Sequence, residues 1–238
     1  MTSFFRFPHT PHLAWLGSGE PRDDKVLSPV EAGELLDGAV VLEEKLDGAN
    51  LGFSVSPAGE LLAQNRGQYL HAPFGGQFVR LPAWLAVHAQ TLQTELLAHA
   101  TDKLMLFGEW CAARHSLNYD RLPDWYVLFD VYDQATQVFW SSARRDALAQ
   151  RLGLVTVPRL GRGRYTLSQL KTMLVEVPSR FRDGELEGIV IRRESPTECI
   201  QRAKLVRASF TQGIEDHWRS RSIEWNRVDF SGKGPGQA

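Results

Sequence analysis

The stretch Glu44-Lys45-Leu46-Asp47-Gly48-Ala49-Asn50 puts an amine, two carboxylates and a side-chain amide close together. Strand-like runs flank it, Val40-Val41-Leu42 before and Leu51-Gly52-Phe53-Ser54-Val55 after. That layout places Lys45 at a strand end beside a tight Asp-Gly turn. A lysine there is either a solvated edge charge or a nucleophile. Edge lysines are common on strands, so the fragment alone favours the edge charge. Four other elements reverse that preference. Gln64-Asn65-Arg66-Gly67 follows a strand and sets an arginine at a turn, and Phe107-Gly108-Glu109-Trp110 ends a strand with a carboxylate. Glu187-Gly188-Ile189-Val190-Ile191-Arg192 begins a strand with a carboxylate, and Arg202-Ala203-Lys204 carries two cations at a spacing that puts both on one strand face.

This inventory suits attack on a nucleotide phosphate. A lysine amine must lose its proton to attack, against a reference pKa of about 10.4. Neighbouring cations and desolvation both lower that value. Lys204 and a bound metal can supply the positive field, and Arg and Lys side chains can neutralise charge developing at the phosphate. Asp47 and Glu187 suit the water shell of a Mg²⁺ ion, which usually keeps several waters. Phe129 can stack on a base.

These residues need elements to hold them. Ser28-Pro29-Val30-Glu31 is a helix start, with a capping serine, proline at the first helical position and Glu31 to complete a capping box; the helix should run to about Asp37-Gly38. Strand patterns follow over 39–45, 51–56 and 61–65, with Pro57-Ala58-Gly59 as the turn between the last two. A helix is expected over 82–99, with Leu85, Leu92, Leu96 and Leu97 on its period. Strands are expected over 104–110, 125–132, 187–193 and 200–206. Helices are expected from Ser141-Ser142 through Leu152, over 166–175 and over 209–219. Strands and helices alternate too irregularly for βαβ units, so the expectation is an α+β domain with largely antiparallel sheets. No linker interrupts it. Residues 1–230 form that domain with a small C-terminal helical extension, 6–25 wrap the surface, and 231–238 read as a flexible tail.

Composition narrows the setting. Hydrophobic residues make up 43% and charged residues 23%, ordinary values for a globular chain with a sizeable core. The formal net charge of −1 excludes a global positive field, so any polyanion must be met by local patches. Cys111 and Cys199 show no zinc spacing and imply no disulfide framework. No apolar stretch is long enough for a bilayer and the N-terminus has no signal-peptide core, so no membrane is expected and a reducing cytoplasm fits best.

The ordered series Lys45-Leu-Asp-Gly-Ala-Asn50, Arg66-Gly67, Gly108-Glu109, Leu128-Phe129-Asp130, Glu187-Gly-Ile-Val-Ile191 and Lys204-Leu-Val-Arg207 resembles the covalent nucleotidyltransferase superfamily. That superfamily comprises ATP-dependent RNA ligases, DNA ligases and mRNA capping enzymes. The closest resemblance is to the RNA ligase 2 class, because DNA ligases and capping enzymes usually carry arginine where this chain has Asn50. Phe7-Pro8-His9-Thr10-Pro11-His12-Leu13 and Ser222-Ile223-Glu224-Trp225-Asn226-Arg227 also resemble a bacterial and phage branch of RNA ligases. The resemblance implies a nucleotidyltransferase fold, the adenylation-domain fold of DNA and RNA ligases, with ATP held between the sheets. It also implies roles. Lys45 would attack the α-phosphate of ATP and become lysyl-AMP. Glu44 and Asn50 would position the nucleotide, Arg66 would meet the ribose, the phosphate or the RNA end, and Glu109 would bind the ribose. Phe129 would stack on adenine, and Lys204 would contact the α-phosphate. Glu187, with Asp47, would act through the water shell of Mg²⁺ or Mn²⁺. Arg202 stands where many RNA ligases have lysine, which keeps the charge but changes the geometry. Many relatives carry a sizeable domain after the Lys204 motif, whereas only residues 205–238 follow it here. That is room for a helix and an extension, with RNA-end binding weak or lent by a partner.

The implied partner is RNA with 5′-phosphate and 3′-hydroxyl ends, in a repair setting that an end-healing kinase or phosphatase would share. Two alternatives stand beside it: a DNA nick ligase or GTP-using capping enzyme, and a non-catalytic nucleotide- or RNA-end-binding module. Singly, each residue has an ordinary structural explanation. Asp47-Gly48 is often a hairpin turn, Phe129 shares a strand face with core valines, and Arg202 and Lys204 can cover a sheet edge. The joint order of Lys45, Glu187 and Lys204 is what favours chemistry. Cys111 reads as a packed residue, and Arg114, His115 and His71 as solvated loop residues. His9 and His12 have too few companions for a metal site, and Arg144-Arg145 reads as a solvated helix face. Arg159, Arg162 and Arg164 divide between phosphate contact and a mobile loop.

Overall fold

Ser28 starts the first helix through its own side chain. Its hydroxyl accepts from the Glu31 amide at 3.2 Å, and the Glu31 carboxylate accepts from the Ser28 amide at 2.8 Å. Pro29 needs no amide partner at that position. The helix, α1, spans Pro29–Leu36 in a computed structural model that describes residues 4–21, 25–99, 101, 103–213, 223–229 and 231. The elements then run β1 Val40–Lys45, β2 Ala49–Val55, β3 Leu61–Gln64, β4 Tyr69–Leu70, α2 Leu81–Ala98, β5 Leu104–Trp110, β6 Tyr126–Asp133, β7 Val138–Phe139 and α3 Ser142–Leu152. They continue as β8 Val155–Thr156, β9 Arg159–Gly163, α4 Leu167–Glu176, β10 Gly188–Glu194, β11 Cys199–Val206 and α5 Ala208–Gly213.

Two sheets form. The smaller has the order β11-β10-β1-β9 and is antiparallel throughout. The larger has the order β4-β3-β2-β5-β6-β7, antiparallel, with β8 running parallel to β6. Each sheet buries one face under helices. Phe53, Leu106 and Leu128 of the large sheet pack with Trp84, Leu92 and Leu148 of α2 and α3. Leu42, Ile189 and Leu205 of the small sheet pack with Leu35 and Leu170 of α1 and α4. The mixed helix and antiparallel-sheet architecture agrees with the sequence reading.

Several local expectations are corrected. β1 and β2 lie in different sheets, so Asp47-Gly48 is a crossover between sheets and not a hairpin turn. An added Cβ at Gly48 would stand 2.6 Å from the Trp110 carbonyl oxygen, so only glycine passes there. The 159–163 stretch is an edge strand paired with β1, not a mobile loop. Arg145, expected on a solvated face, is 1% exposed, and Arg144 lies over the Trp140 ring. Leu81 and Trp84 take buried positions of α2, whereas Leu97 is exposed. The 6–25 segment does more than cover the surface. Lys204 donates its amide to Pro11 at 2.8 Å and accepts from the Leu13 amide at 2.7 Å, which lays the segment along β11 and buries Phe7, His12 and Leu13. The helix expected over 209–219 is described to Gly213. Its remainder, Ser222 and all of the tail but Ser231 lie outside the described residues.

Candidate active site

The register of the small sheet assembles one wall of a cleft. Lys45 faces Gly188, Glu43 faces Val190 and Val190 faces Lys204, while Arg192 pairs with Arg202. The period-two alternation of strands turns Glu43, Lys45, Val190, Arg192, Arg202 and Lys204 to one face. All six line a cleft between the sheets with a volume of about 280 Å³. Leaving β1, the chain crosses to the large sheet within three residues, and so Lys45 sits at the junction of the two walls.

The large sheet supplies the opposite wall. Asn50 on β2 is paired with Glu109 on β5, and both line the cleft. The Gly48 amide donates to the Glu109 carboxylate at 2.9 Å, tying the crossover to β5. Phe129 stands at a bulge: Asp130 pairs with Phe107 and Leu128 with Gly108, which leaves Phe129 without a register partner. A bulge re-aims a side chain, and here it brings Phe129 to the cleft while the ring still packs among Phe7 and its neighbours. Arg66 reaches the cleft from the bend after β3, where the Asn65 side chain accepts from the amides of Gly67 and Gln68 at 2.8 and 2.9 Å.

The structure brings together Lys45, Asn50, Arg66, Glu109, Phe129, Glu187, Arg202 and Lys204. Three expected residues sit differently from the expectation. Glu44 borders the cleft, but its carboxylate accepts from the Ser179 hydroxyl at 2.5 Å and the Arg180 amide at 3.0 Å. Asp47 uses Oδ2 to accept from the amides of Ser116 and Leu117 at 2.7 and 2.8 Å, so it anchors the loop after β5. Arg202 lines the cleft with its guanidinium held by Asp130 at 2.7 Å and stacked over Phe139 and Phe7.

Charge is concentrated at the nucleophile candidate. Lys45 Nζ contacts Glu187 Oε1 at 2.5 Å. Burial opposes the ammonium form, but Glu187, Glu109 and Asp47 outweigh it and hold the Lys45 pKa up at about 12. Burial pushes Glu109 up to about 8, reinforced by Glu187 and Asp47 against Lys45. Glu187 is pushed up to about 7 by burial and by Asp47, against the pull of Lys45 and Lys204. Two buried acceptors, Glu187 Oε2 and Asn50 Oδ1, have no hydrogen-bond partner among the described residues. A buried acceptor without a donor is costly unless a ligand supplies one. Among the described residues no group of three or more His, Cys, Asp and Glu is placed to ligate a metal directly. The donor set that exists, a buried carboxylate oxygen beside Lys45, fits a hydrated ion.

Sequence reasoning missed the groups beneath these residues. Asp130 accepts from Arg192 and Arg202, both at 2.7 Å, and Arg145 contacts Glu43 at 2.7 Å while donating to the Phe129 carbonyl at 2.8 Å. Arg145, Arg192 and Glu43 are each 1% exposed. The Asp130 pairs join β10 and β11 of one sheet to β6 of the other, and Arg145 of α3 links Glu43 of β1 to the β6 backbone. The two-residue spacings 43/45, 190/192 and 202/204 were the available signal. The thiol of Cys111 is buried and pushed well up by that burial, consistent with packing. Both cysteines are free. Asn226, buried at 2% exposure, lies in the stretch quoted for its resemblance but with no role read from the sequence: its amide donates to the Cys111 carbonyl and its carbonyl oxygen accepts from the Tyr119 amide. Tyr119 in turn accepts from the Asp47 amide at 2.9 Å. No helix among the described residues is long and apolar enough to cross a membrane.

The RNA ligase family model matches residues 38–206. The structure resembles Naegleria gruberi RNA ligase solved with PPi at 18% identity and TM-score 0.59, over 90% of this chain and 65% of that one. A mutant of that ligase solved with AMP and Mn gives 18% identity and TM-score 0.60, over 88% and 64%. Another mutant, solved with ATP and Mn, gives 18% identity and TM-score 0.56, over 77% and 54%. The chain thus spans between about half and two thirds of the length of these Naegleria chains, and at such identities the likeness shows the fold. A search of curated proteins finds no match.

Proposed function

The chain belongs to the RNA ligase family, and from that premise we propose that it is an ATP-dependent RNA ligase of the nucleotidyltransferase fold and the RNA ligase 2 class. One observation carries the reading most: Lys45 Nζ lies at the junction of the two cleft walls, 2.5 Å from a Glu187 carboxylate whose second oxygen is buried without a hydrogen-bond partner among the described residues.

The chemistry is three phosphoryl transfers, in which positioning and electrostatics carry most of the catalysis. Lys45, once its proton has left, attacks the α-phosphorus of ATP. A nitrogen–phosphorus bond forms, the bond to the β-phosphate oxygen breaks, and pyrophosphate departs. Glu187 is the group in contact with the departing proton. Lys204 and Arg66 neutralise phosphate charge, Glu109 and Asn50 hold the ribose, and Phe129 stacks on adenine. Arg202, fixed by Asp130, contributes field to the same wall. A terminal 5′-phosphate oxygen of RNA then takes the AMP from Lys45. A 3′-hydroxyl finally attacks that 5′-phosphorus and AMP leaves, sealing the strand. Mg²⁺ or Mn²⁺, held through water by Glu187 with the charge of loop-anchored Asp47 nearby, would neutralise phosphate charge and favour the unprotonated amine.

RNA with 5′-phosphate and 3′-hydroxyl ends is the substrate this reading assigns. Its biological setting is RNA repair in the cytoplasm, downstream of an end-healing kinase or phosphatase. Asn50 distinguishes the reading from a DNA ligase or a capping enzyme. The 2′-hydroxyl is the group that lets a protein tell RNA from DNA. The test is sealing of four nicked duplexes that vary the sugar on each side of the nick independently, with ATP and with GTP. Ribose is expected to matter at the 3′-hydroxyl side, with DNA tolerated on the 5′-phosphate side and ATP preferred. Equal sealing of an all-DNA nick would move the assignment to DNA ligation.

A further inference from the structure

Two residues that line the cleft, Phe7 and Thr10, lie outside the 38–206 stretch that the family model matches. They belong to the segment laid along β11, and its placement is well determined by bonding. Pro11 and Leu13 bracket Lys204 through its amide and carbonyl, and His12 is tied on its other side to Lys25 and Leu27, each bond at 2.8 Å. Pro8 and Pro11 hold φ near −65° and bias the residues before them, Phe7 and Thr10, to extended backbone. The segment therefore loses little further entropy when a ligand enters.

Phe7 reaches two groups of the cleft, Phe129 and Arg202, and packs on the core ring of Phe107. Its ring meets Phe129 at 5.3 Å edge-on and Phe107 at 4.9 Å, and the Arg202 guanidinium carbon lies 4.8 Å from its centroid. Phe129 is the bulged residue: Arg145 holds its carbonyl at 2.8 Å, and its side chain, which has no register partner on β5, packs on the Phe7 ring. Thr10 lines the cleft one residue before the Pro11–Lys204 bond. A threonine hydroxyl there offers one donor and two acceptor lone pairs beside a lysine.

We propose that this N-terminal segment is a working wall of the nucleotide site, in which Thr10 contacts the ribose–phosphate part of a purine nucleoside triphosphate and Phe7 is a positioning residue for Phe129 and Arg202. The proposal rests on the ligase reading above. It assigns nucleotide binding to residues that the family-matched stretch does not contain.

The test measures the single-turnover labelling rate of the full chain against ATP concentration, taking the half-saturating concentration as KM and the maximal rate as kcat, with melting temperature alongside. Thr10→Val keeps shape and removes the hydroxyl. It is expected to raise KM about fivefold, the size of one net hydrogen bond, with kcat at saturation and melting temperature unchanged. Thr10→Ser should restore the wild-type KM. Phe7→Leu should raise KM for ATP well beyond Phe5→Leu, whose ring stacks on Tyr132 at 4.1 Å without lining the cleft. A wild-type KM in Thr10→Val overturns the role of Thr10. Equal KM shifts in Phe7→Leu and Phe5→Leu would reduce Phe7 to packing. The wild-type arm separates the two readings: a wild-type chain that takes no label from ATP removes the ligase reading itself, and the inference with it.

Discussion

Lys45 is a poor nucleophile before nucleotide arrives. Three carboxylates hold its proton, and Glu187 is in contact with it. Glu109 and Glu187 are themselves held above the ordinary carboxylate range by burial. Their sign follows from linkage: a carboxyl with a raised folded-state pKa binds its proton more tightly in the folded chain. The stability this contributes is complete below the unfolded value of about 4.3 and is lost as pH rises through about 7 for Glu187 and about 8 for Glu109. Melting temperature should therefore fall between pH 5 and 9, and Glu109→Gln should flatten that fall. Parallel profiles for wild type and variant would contradict the assignment. A second contrast separates neighbouring carboxylates. Glu185 is exposed and pairs with Arg207 at 2.6 Å, away from Lys45. Glu187→Ala should lose at least tenfold more single-turnover labelling than Glu185→Ala, and equal losses would remove the special place of Glu187. Lys45, Glu187 and Lys204 were legible because residue type and order survive in one dimension. Asp130 and Glu43 were not, since their importance comes from arginines that approach from other strands and from α3.

At the scale of elements, the crossover from β1 to β2 and the loop after β5 hold each other. Asp47 accepts two loop amides, Tyr119 accepts from the Asp47 amide, and Asn226 pins Tyr119 and Cys111 from the C-terminal stretch. Asn226→Leu keeps approximate volume but leaves buried backbone groups unpaired. It should cost on the order of 2–4 kcal/mol in urea unfolding, and labelling of Lys45 should slow even where the chain stays folded. Unchanged stability would show that water replaces those bonds. Most long elements were legible. The Ser28 and Ser141 caps and the apolar runs of β5 and β6 are local signals, and the Ser141 hydroxyl does accept from the Arg144 amide. The short strands β4, β7 and β8 were not, because strands of two residues carry no period. β9 was hidden by its glycines and arginines: only pairing with β1 makes it a strand. The Asp-Gly pair misled because the same dipeptide serves a hairpin and a crossover, and the difference lies in which sheet the next strand joins.

For the molecule as a whole, two sheets meet along a cleft and buried ion pairs join them. Arg192 reaches Asp130 across the gap, and Arg145 couples α3 to Glu43. Removing one partner of such a pair is strongly destabilising, whereas the intact pair adds little stability of its own. Holding the two walls in register is the role that the positions of these pairs support. Sequence reasoning anticipated a cleft between antiparallel sheets but not what fixes the walls, since that rests on contacts between distant strands. The central claim is that Lys45 is the residue that takes AMP from ATP. It is tested by incubating the wild-type chain and Lys45→Ala with ATP labelled at the α-phosphate and Mg²⁺ or Mn²⁺, then denaturing both and mapping the label by mass spectrometry. The account predicts a denaturation-resistant adduct on Lys45 in the wild type and none in a folded Lys45→Ala chain. Label on another residue, or undiminished labelling of Lys45→Ala, would contradict it.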